Sequence, residues 1–407
     1  MTLYGVVDTG YRSVSAGDNK FSGMANGSNA SNRLGFKGTE DLGGGMKANF
    51  VMEGDLAPND GTNAGFKFLR QSTASLSGNF GEVRLGRDYT PAFRVFGIVD
   101  PFGTVGVGSA GNILWSTVAT EASIGAQAAA NAAGTFVTAN RGTGVATTAP
   151  SAKSAAKLPA SLTYADPNVV RANNSFAYYS PNFSGVTASL MYSAGTQNTA
   201  TEKAQGRMTG LSLNYTNGPL TLAYANQVTK GGNAGALPTA ASATLQPVGA
   251  TCSAPSTKDT TSISGYQVCN AALQAGVAAS ENQKYTTNFL AGSYDLGVAK
   301  ASLGYREEKI DMVSDSGKIK GMIYGVSAPL GAVTLKASYI TKKIDGDKAG
   351  NQFALGAVYD LSKRTALYTT YSELKNEAGF ANTVGSAAAS EGGIKVKGFD
   401  IGVRHSF

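Results

Sequence analysis

From Phe399 to its last residue the chain alternates strictly. Phe399, Ile401, Val403, His405 and Phe407 fall on one face of an extended strand, and Asp400, Gly402, Arg404 and Ser406 on the other. Successive strand side chains point to opposite faces, so one row must meet something apolar and the other something polar. The period recurs upstream. Leu335, Ala337 and Tyr339 oppose Lys336 and Ser338, and Phe353, Leu355, Ala357 and Tyr359 oppose Gln352, Ala354, Gly356 and Asp360. Leu220, Leu222 and Tyr224 oppose Thr221, Ala223 and Ala225, while Ala301, Leu303 and Tyr305 oppose Lys300, Ser302 and Arg306. In a sandwich the apolar row would be core, in a membrane barrel it would face lipid, and one segment alone fits either.

The connections separate these two folds. Short ones, LGGG (Leu42 to Gly45), NFG (Asn79 to Gly81), PNFSG (Pro181 to Gly185), TNGP (Thr216 to Pro219), DLG (Asp295 to Gly297), PLG (Pro329 to Gly331) and LSKR (Leu361 to Arg364), interleave with long polar ones. Short turns at one end and long loops at the other are the asymmetry of an outer-membrane barrel, and counting hairpins gives about sixteen strands. Many strands carry an aromatic near one end, as an interfacial girdle requires. The expected fold is therefore all-β: one transmembrane antiparallel β-barrel over residues 1–407, with long external loops. No run approaches the ~18 apolar residues of a spanning helix, and 42% hydrophobic residues with 52 Gly and 12 Pro suit neither a helical membrane protein nor a collagen. One segment resists this reading: the fourth strand, placed at Phe66 to Asn79, alternates poorly.

Two connections are far longer than the rest, residues 89–168, a third loop beginning RDYTPAFRVFGIVDPFGT, and residues 230–284. Structureless loops of that length are normally functional or disordered. The Ala-rich tract from Val118 to Ala156 reads either as a short helix folded over the lumen or as a surface loop. Trp115, Tyr89, Phe93, Phe96 and Phe102 either pack the third loop to the wall or stack on an aromatic solute. Cys252 and Cys269 lie in the second long loop, where a local disulfide would contribute roughly 3 kcal/mol, two free thiols being the alternative. The start TLYGVVDTGY alternates instead of forming a signal peptide, so the chain is expected to be the mature part of an exported protein.

The formal charge of +7 is spread over single Lys and Arg with no basic run, which argues against nucleic acid. No metal set or cofactor motif emerges: Asp8, Asp41, Asp55 and Asp88 lie in different strands or turns, and GEVRLG is not a phosphate loop followed by a helix. The single His, His405, sits in the apolar row of the last strand, away from the polar cleft a catalytic base needs, so no catalytic residues and no enzyme are expected.

Several blocks resemble a known family. TLYGVVDTGY, RLGFKGTEDLGGGMKANFVMEGD (Arg33 to Asp55), GEVRLGRDYTPAF (Gly81 to Phe93), NNSFAYYSPNFSGVTASLMYS, YDLSKRTALYTTYS and the ending GVRHSF are similar to those of Gram-negative general porins, betaproteobacterial ones in particular. The resemblance spans the chain and departs at the two long loops. It implies a homotrimer in the cell outer membrane among lipid and lipopolysaccharide, sixteen strands per subunit, and a third loop folded into each pore as a constriction, here with Asp100, Pro101, Phe102 and Gly103. It also implies that the terminal strand, ending at Phe407, is recognised by the outer-membrane assembly machinery and closes the barrel on strand 1.

By motif position the resemblance puts basic wall residues at Arg33, Arg70 and Arg171, with Arg87 a weaker candidate. Parity places Arg33, Gly35 and Lys37 opposite Leu34 and Phe36, and Arg171 and Asn173 opposite Phe176 and Tyr178; Arg70 rests on the resemblance alone. An ion in a narrow aqueous neck loses bulk screening, so fixed charge there acts strongly on it. With little acid on the third loop beyond Asp100, the arginines are expected to stand unpaired and to favour small anionic or neutral solutes. The bland alternative pairs them with Asp8, Glu40 or Glu53. The rival functions are a channel preferring organic carboxylates, aromatic ones included, and a surface adhesion or receptor barrel with a blocked lumen.

Overall fold

The computed structural model describes residues 1–61, 66–115, 169–195, 206–230, 244–247, 262–263, 266–269, 284–311, 316–378, 380–385 and 392–407. The strands are β1 (Thr2–Ala16), β2 (Asn19–Asn26), β3 (Arg33–Gly43), β4 (Met46–Gly54), β5 (Gln71–Gly78) and β6 (Gly81–Tyr89), then the helices α1 (Pro91–Val99) and α2 (Gly111–Leu114). There follow β7 (Arg171–Tyr179), β8 (Val186–Ser193), β9 (Arg207–Asn217) and β10 (Leu220–Lys230), and a separate three-stranded sheet of β11 (Thr244–Pro247), β12 (Ser262–Ile263) and β13 (Tyr266–Cys269). The chain finishes with β14 (Lys284–Asp295), β15 (Lys300–Asp311), β16 (Ser316–Leu330), β17 (Val333–Ile344), β18 (Asp347–Asp360), β19 (Thr365–Asn376) and β20 (Lys395–Ser406).

Seventeen of these strands form one sheet. β2 and β3 share a single edge of β1, Thr9 to Ala16 pairing with β2 and Thr2 to Val6 with β3, so together they are one stave of a sixteen-stave barrel. The interruption between them is organised by Asp8, which accepts from the backbone N–H groups of Asn29 (2.9 Å) and Ala30 (2.6 Å) and from the hydroxyl of Tyr368 (2.6 Å). All pairings in the sheet are antiparallel, and each short connection predicted from the sequence joins two neighbouring strands at the same end.

The barrel closes where the sequence placed its end. β20 pairs with β1 from Val6↔Ser406 to Ala16↔Val396, and Phe407 and Gly5 exchange both backbone hydrogen bonds, at 3.0 and 3.1 Å. The apolar row of β20, Ile401, Val403 and Phe407, faces outward with His405 among it, as do Leu335, Tyr339, Phe353, Leu355 and Tyr359. An antiparallel barrel with an apolar outer surface satisfies every backbone donor without water, which is what permits strands to cross lipid.

Strand 4 of the sequence reading is shorter than expected. β5 starts at Gln71, and residues 66–70 are irregular, with Phe68 making edge contacts to Phe36 and Phe66 at 6.4 and 5.2 Å. The poor alternation arose from joining those residues to a strand. Cys252 lies outside the described residues, as does the side chain of Cys269, and so does the Val118 to Ala156 tract.

Candidate functional site

Strand parity predicts a polar lumen, yet inward positions of β14, β16, β17 and β19 include Phe289, Ile323, Ile340 and Leu374, all buried. The third loop explains them. It leaves β6 at Tyr89 and turns at Thr90, whose side-chain oxygen accepts from the Phe93 N–H (3.3 Å) while Pro91 opens α1, a strong local start signal for a helix. α1 then lies inside the barrel with Val95, Phe96 and Val99 buried against Ala223, Ala225, Phe289 and Ala291. Burying one such side chain is worth about 1.5–3 kcal/mol.

Glycines at inward positions make room for the loop. A β-carbon on Gly304 would lie 2.8 Å from Val99, one on Gly356 2.7 Å from Phe102, one on Gly398 2.8 Å from Val107 and one on Gly321 2.2 Å from Leu114. Wall side chains then tie down the loop backbone: Ser302 donates to Val99 O (2.9 Å), Arg306 to Leu114 O (3.0 Å) and Gln352 to Ser109 O (3.0 Å). Asp400 accepts from the Val107 N–H (3.0 Å).

Asp100 does not face the arginine row. Its carboxylate is turned into the loop, accepting from the backbone of Phe102 (3.0 Å), Thr104 (3.1 Å) and Ala110 (3.1 Å) and from the Ser109 hydroxyl (3.3 Å). Burial raises its pKa above the usual carboxylate range, against the lowering effect of those hydrogen bonds. Phe102 is buried over Gly356, and Pro101 stands 3.0 Å from the place of a Gly325 β-carbon, so the Asp100 to Gly103 segment anchors the loop to the wall. The aromatics are also engaged with one another: Tyr89 stacks on Phe93 (5.3 Å), Trp115 tilts against Phe96 (4.2 Å), and Phe96 meets Phe289 edge-on (5.8 Å).

The arginines gather on the wall where the loop takes off. Arg70 binds Glu53 (2.7 Å) and Asp55 (3.0 Å), and Arg33 stands 3.8 Å from Glu53, so these two are paired, contrary to the expectation of an unpaired row. The cause lies in the register. Glu53, next to last in β4, faces into the lumen between β3 and the start of β5, within reach of a guanidinium on either side. Arg84 and Arg94 share Asp88 at 2.8 and 2.9 Å, and Arg84 also binds Glu82 (2.9 Å). Six arginines therefore meet four carboxylates, leaving two positive charges in excess.

Those two belong to Arg87 and Arg171. Arg87 donates to Leu69 O (2.6 Å) and to Asn173; Arg171 donates to the Tyr89 hydroxyl (3.2 Å) and lies 4.7 Å from that ring's centre. Neither forms an ion pair among the described residues. Arg70 also donates to the Tyr89 hydroxyl (2.9 Å), which gathers two of the arginines at the root of the loop.

The parity argument for Arg171 does not hold. The β6–β7 register shifts between Gly86 and Asp88, and Asn174 takes φ 49°, so counting back from Phe176 crosses a bulge; pairing with Tyr89 sets the position of Arg171. Sequence reasoning missed Arg84, Arg94 and Asp88. The alternation Glu82, Arg84, Asp88 on β6 carried a signal for the first and last, whereas Arg94 needed the helix.

A family model described as Gram-negative porin matches residues 1–268 and 264–379. Outer membrane porin protein 32 of Delftia acidovorans is 33% identical over 426 residues, covering 100% of this chain and 94% of that protein. An outer membrane porin protein of Bordetella pertussis is 26% identical, again over 100% of this chain and 94% of the relative. Among solved structures, an anion-selective porin from Comamonas acidovorans superposes with a TM-score of 0.71 at 28% identity, covering 100% of this chain and 99% of that one.

Proposed function

This chain belongs to the Gram-negative porin family, and we propose on that premise that its pore favours small anionic solutes through the excess charge of Arg87 and Arg171. As a porin it is an outer-membrane β-barrel channel. The observation that carries the anion preference is the count of two uncompensated guanidinium groups beside the inserted loop. Guanidinium stays charged at any working pH and is weakly hydrated, so a passing anion exchanges water for it at small cost. The similar Comamonas protein is named as anion-selective, which supports the same reading. Arg33 and Arg70, held by Glu53, line this wall as an ordered polar surface, and the Asp100 to Gly103 anchor fixes the loop that narrows the lumen.

The aromatic rings of the loop are occupied by packing, which favours a general channel for small anionic and neutral solutes over one that stacks an aromatic acid. In this reading the functional unit is a homotrimer, and Phe407 with the closing strand is the feature met by the assembly machinery. Reversal potential in a salt gradient across planar bilayers tests the selectivity. A potential of anion sign is expected, and cation selectivity overturns the proposal.

A further inference from the structure

Tyr89 is the last residue of β6 and the point from which the third loop departs. Its ring has two uses that a phenylalanine would serve equally well. It stacks on Phe93 at 5.3 Å with the planes 11° apart, and the guanidinium of Arg171 lies over it, 4.7 Å from the ring centre. The hydroxyl is the part of the residue that packing leaves unexplained.

That hydroxyl stands between cations. It accepts from Arg70 at 2.9 Å and from Arg171 at 3.2 Å. A hydroxyl oxygen offers two lone pairs and one proton, so both lone pairs are taken and the proton remains. Neither arginine can receive it, because a guanidinium has five donors and no acceptor. The buried carboxylates on this wall are held by other groups: Glu53 by Arg70, Arg33 and the Tyr4 hydroxyl, and Asp88 by Arg84, Arg94 and the Tyr179 hydroxyl. No acceptor among the described residues takes the Tyr89 proton.

Two consequences follow for an ion in the neck. Accepting from two cations polarises the phenol, which strengthens it as a donor. Repulsion from both guanidinium groups also turns the proton away from them. Tyr89, Arg87 and Arg171 are all half-buried on the inner wall, and Arg87 donates to Asn173, two residues along β7 from Arg171. A polarised O–H donor therefore stands beside the two uncompensated positive charges. Fixed charge alone attracts any anion, whereas a directional donor favours one whose oxygen can meet it.

We propose that Tyr89 sets the preference among anions, donating its hydroxyl proton in a hydrogen bond to an oxygen of the passing oxyanion while Arg87 and Arg171 supply the charge. The pore then favours small oxyanions such as carboxylates over halide. This rests on the anion-selective reading of the pore, to which it adds a discrimination that the arginines do not make by charge.

The test uses the full-length protein in planar bilayers with potassium chloride on one side and potassium acetate on the other, where the reversal potential gives the permeability of acetate relative to chloride. Tyr89→Phe keeps the ring against Phe93 and Arg171 and removes the hydroxyl alone. The acetate-to-chloride ratio should fall about fivefold, the worth of one hydrogen bond. Tyr178→Phe, which removes a hydroxyl donating to Phe80 O in an outward row, should leave the ratio as it is. The same proteins in a plain potassium chloride gradient give the preference for anion over cation. An unchanged ratio in Tyr89→Phe overturns the proposal. A fall in the ratio no greater than the fall in anion-over-cation preference overturns it too, since displacement of Arg171 alone would produce that pattern. Cation selectivity of the unaltered pore in the chloride gradient is a separate result, which removes the anion-selective reading itself and this proposal with it.

Discussion

Val99 of α1 sits against the bare backbone of Gly304 on β15, so that a β-carbon at Gly304 would lie 2.8 Å from Val99 Cγ2. Helix and wall are thus fitted at a spot where no side chain fits. Gly304→Leu should push α1 off the wall at a cost of about 1–3 kcal/mol and change the size of the neck. Single-channel conductance should differ from that of the unaltered pore, while Gly218→Ala, in a turn with open space around it, should leave conductance unchanged. Equal conductance in all three proteins would mean that the loop does not set the neck.

This fit also shows which parts of the molecule were legible in the sequence. The outward rows were, because lipid accepts only apolar side chains and the period of two then fixes facing. That the strand ending at Phe407 closes on the first strand came from the family resemblance, and its partner Gly5 was set by the register, which alternation does not give. The inward rows were less so: Phe289 and Ile340 look misplaced until α1 covers them, and that contact joins residues nearly two hundred positions or more apart. The arginines were found by motif, but their charge state was not. Whether Arg33 or Arg87 keeps an uncompensated charge depends on where Glu53 and Asp88 fall in the register, and the bulge at Asn174 hides the facing of Arg171 from any count.

Arg87→Ala and Arg171→Ala should each move the reversal potential toward zero, and the double variant should abolish anion preference. Arg33→Ala should do less, because at 3.8 Å from Glu53 its charge is already answered. Bilayer measurements in a salt gradient rank the three. A larger effect from Arg33→Ala than from Arg171→Ala would show that pairing does not decide which charge the ion meets.

Glu53→Gln removes the carboxylate that holds Arg33 and Arg70 and accepts from the Tyr4 hydroxyl (3.1 Å). Anion preference should rise, since one negative charge is removed and Arg33 loses its partner. Stability should fall, because Arg70, only 6% exposed, loses its nearest counter-charge and keeps only Asp55. The paired readout is reversal potential with the temperature at which the folded band disappears on a heat-modifiability gel. A rise in selectivity without loss of thermal stability would indicate that Glu53 tunes charge but does not brace the wall.

Asp400 meets Arg12 through two hydrogen bonds, at 2.7 and 3.0 Å, across the β1–β20 seam, and both side chains are buried. The same carboxylate holds the third loop through the Val107 N–H, so one group joins barrel closure to loop placement. Asp400→Ala leaves a buried guanidinium without its partner, a change that costs about 3–5 kcal/mol where such pairs have been broken. The unfolding midpoint in urea should fall accordingly, and conductance should become noisier as the loop loses its anchor. Replacing Arg12 by Ala as well removes the stranded charge, so the double variant should recover part of the stability while the current noise persists, because the bond from the Val107 N–H to the wall is lost with Asp400. Recovery of both together would show that the ion pair alone, and not the bond to the loop, steadies the channel.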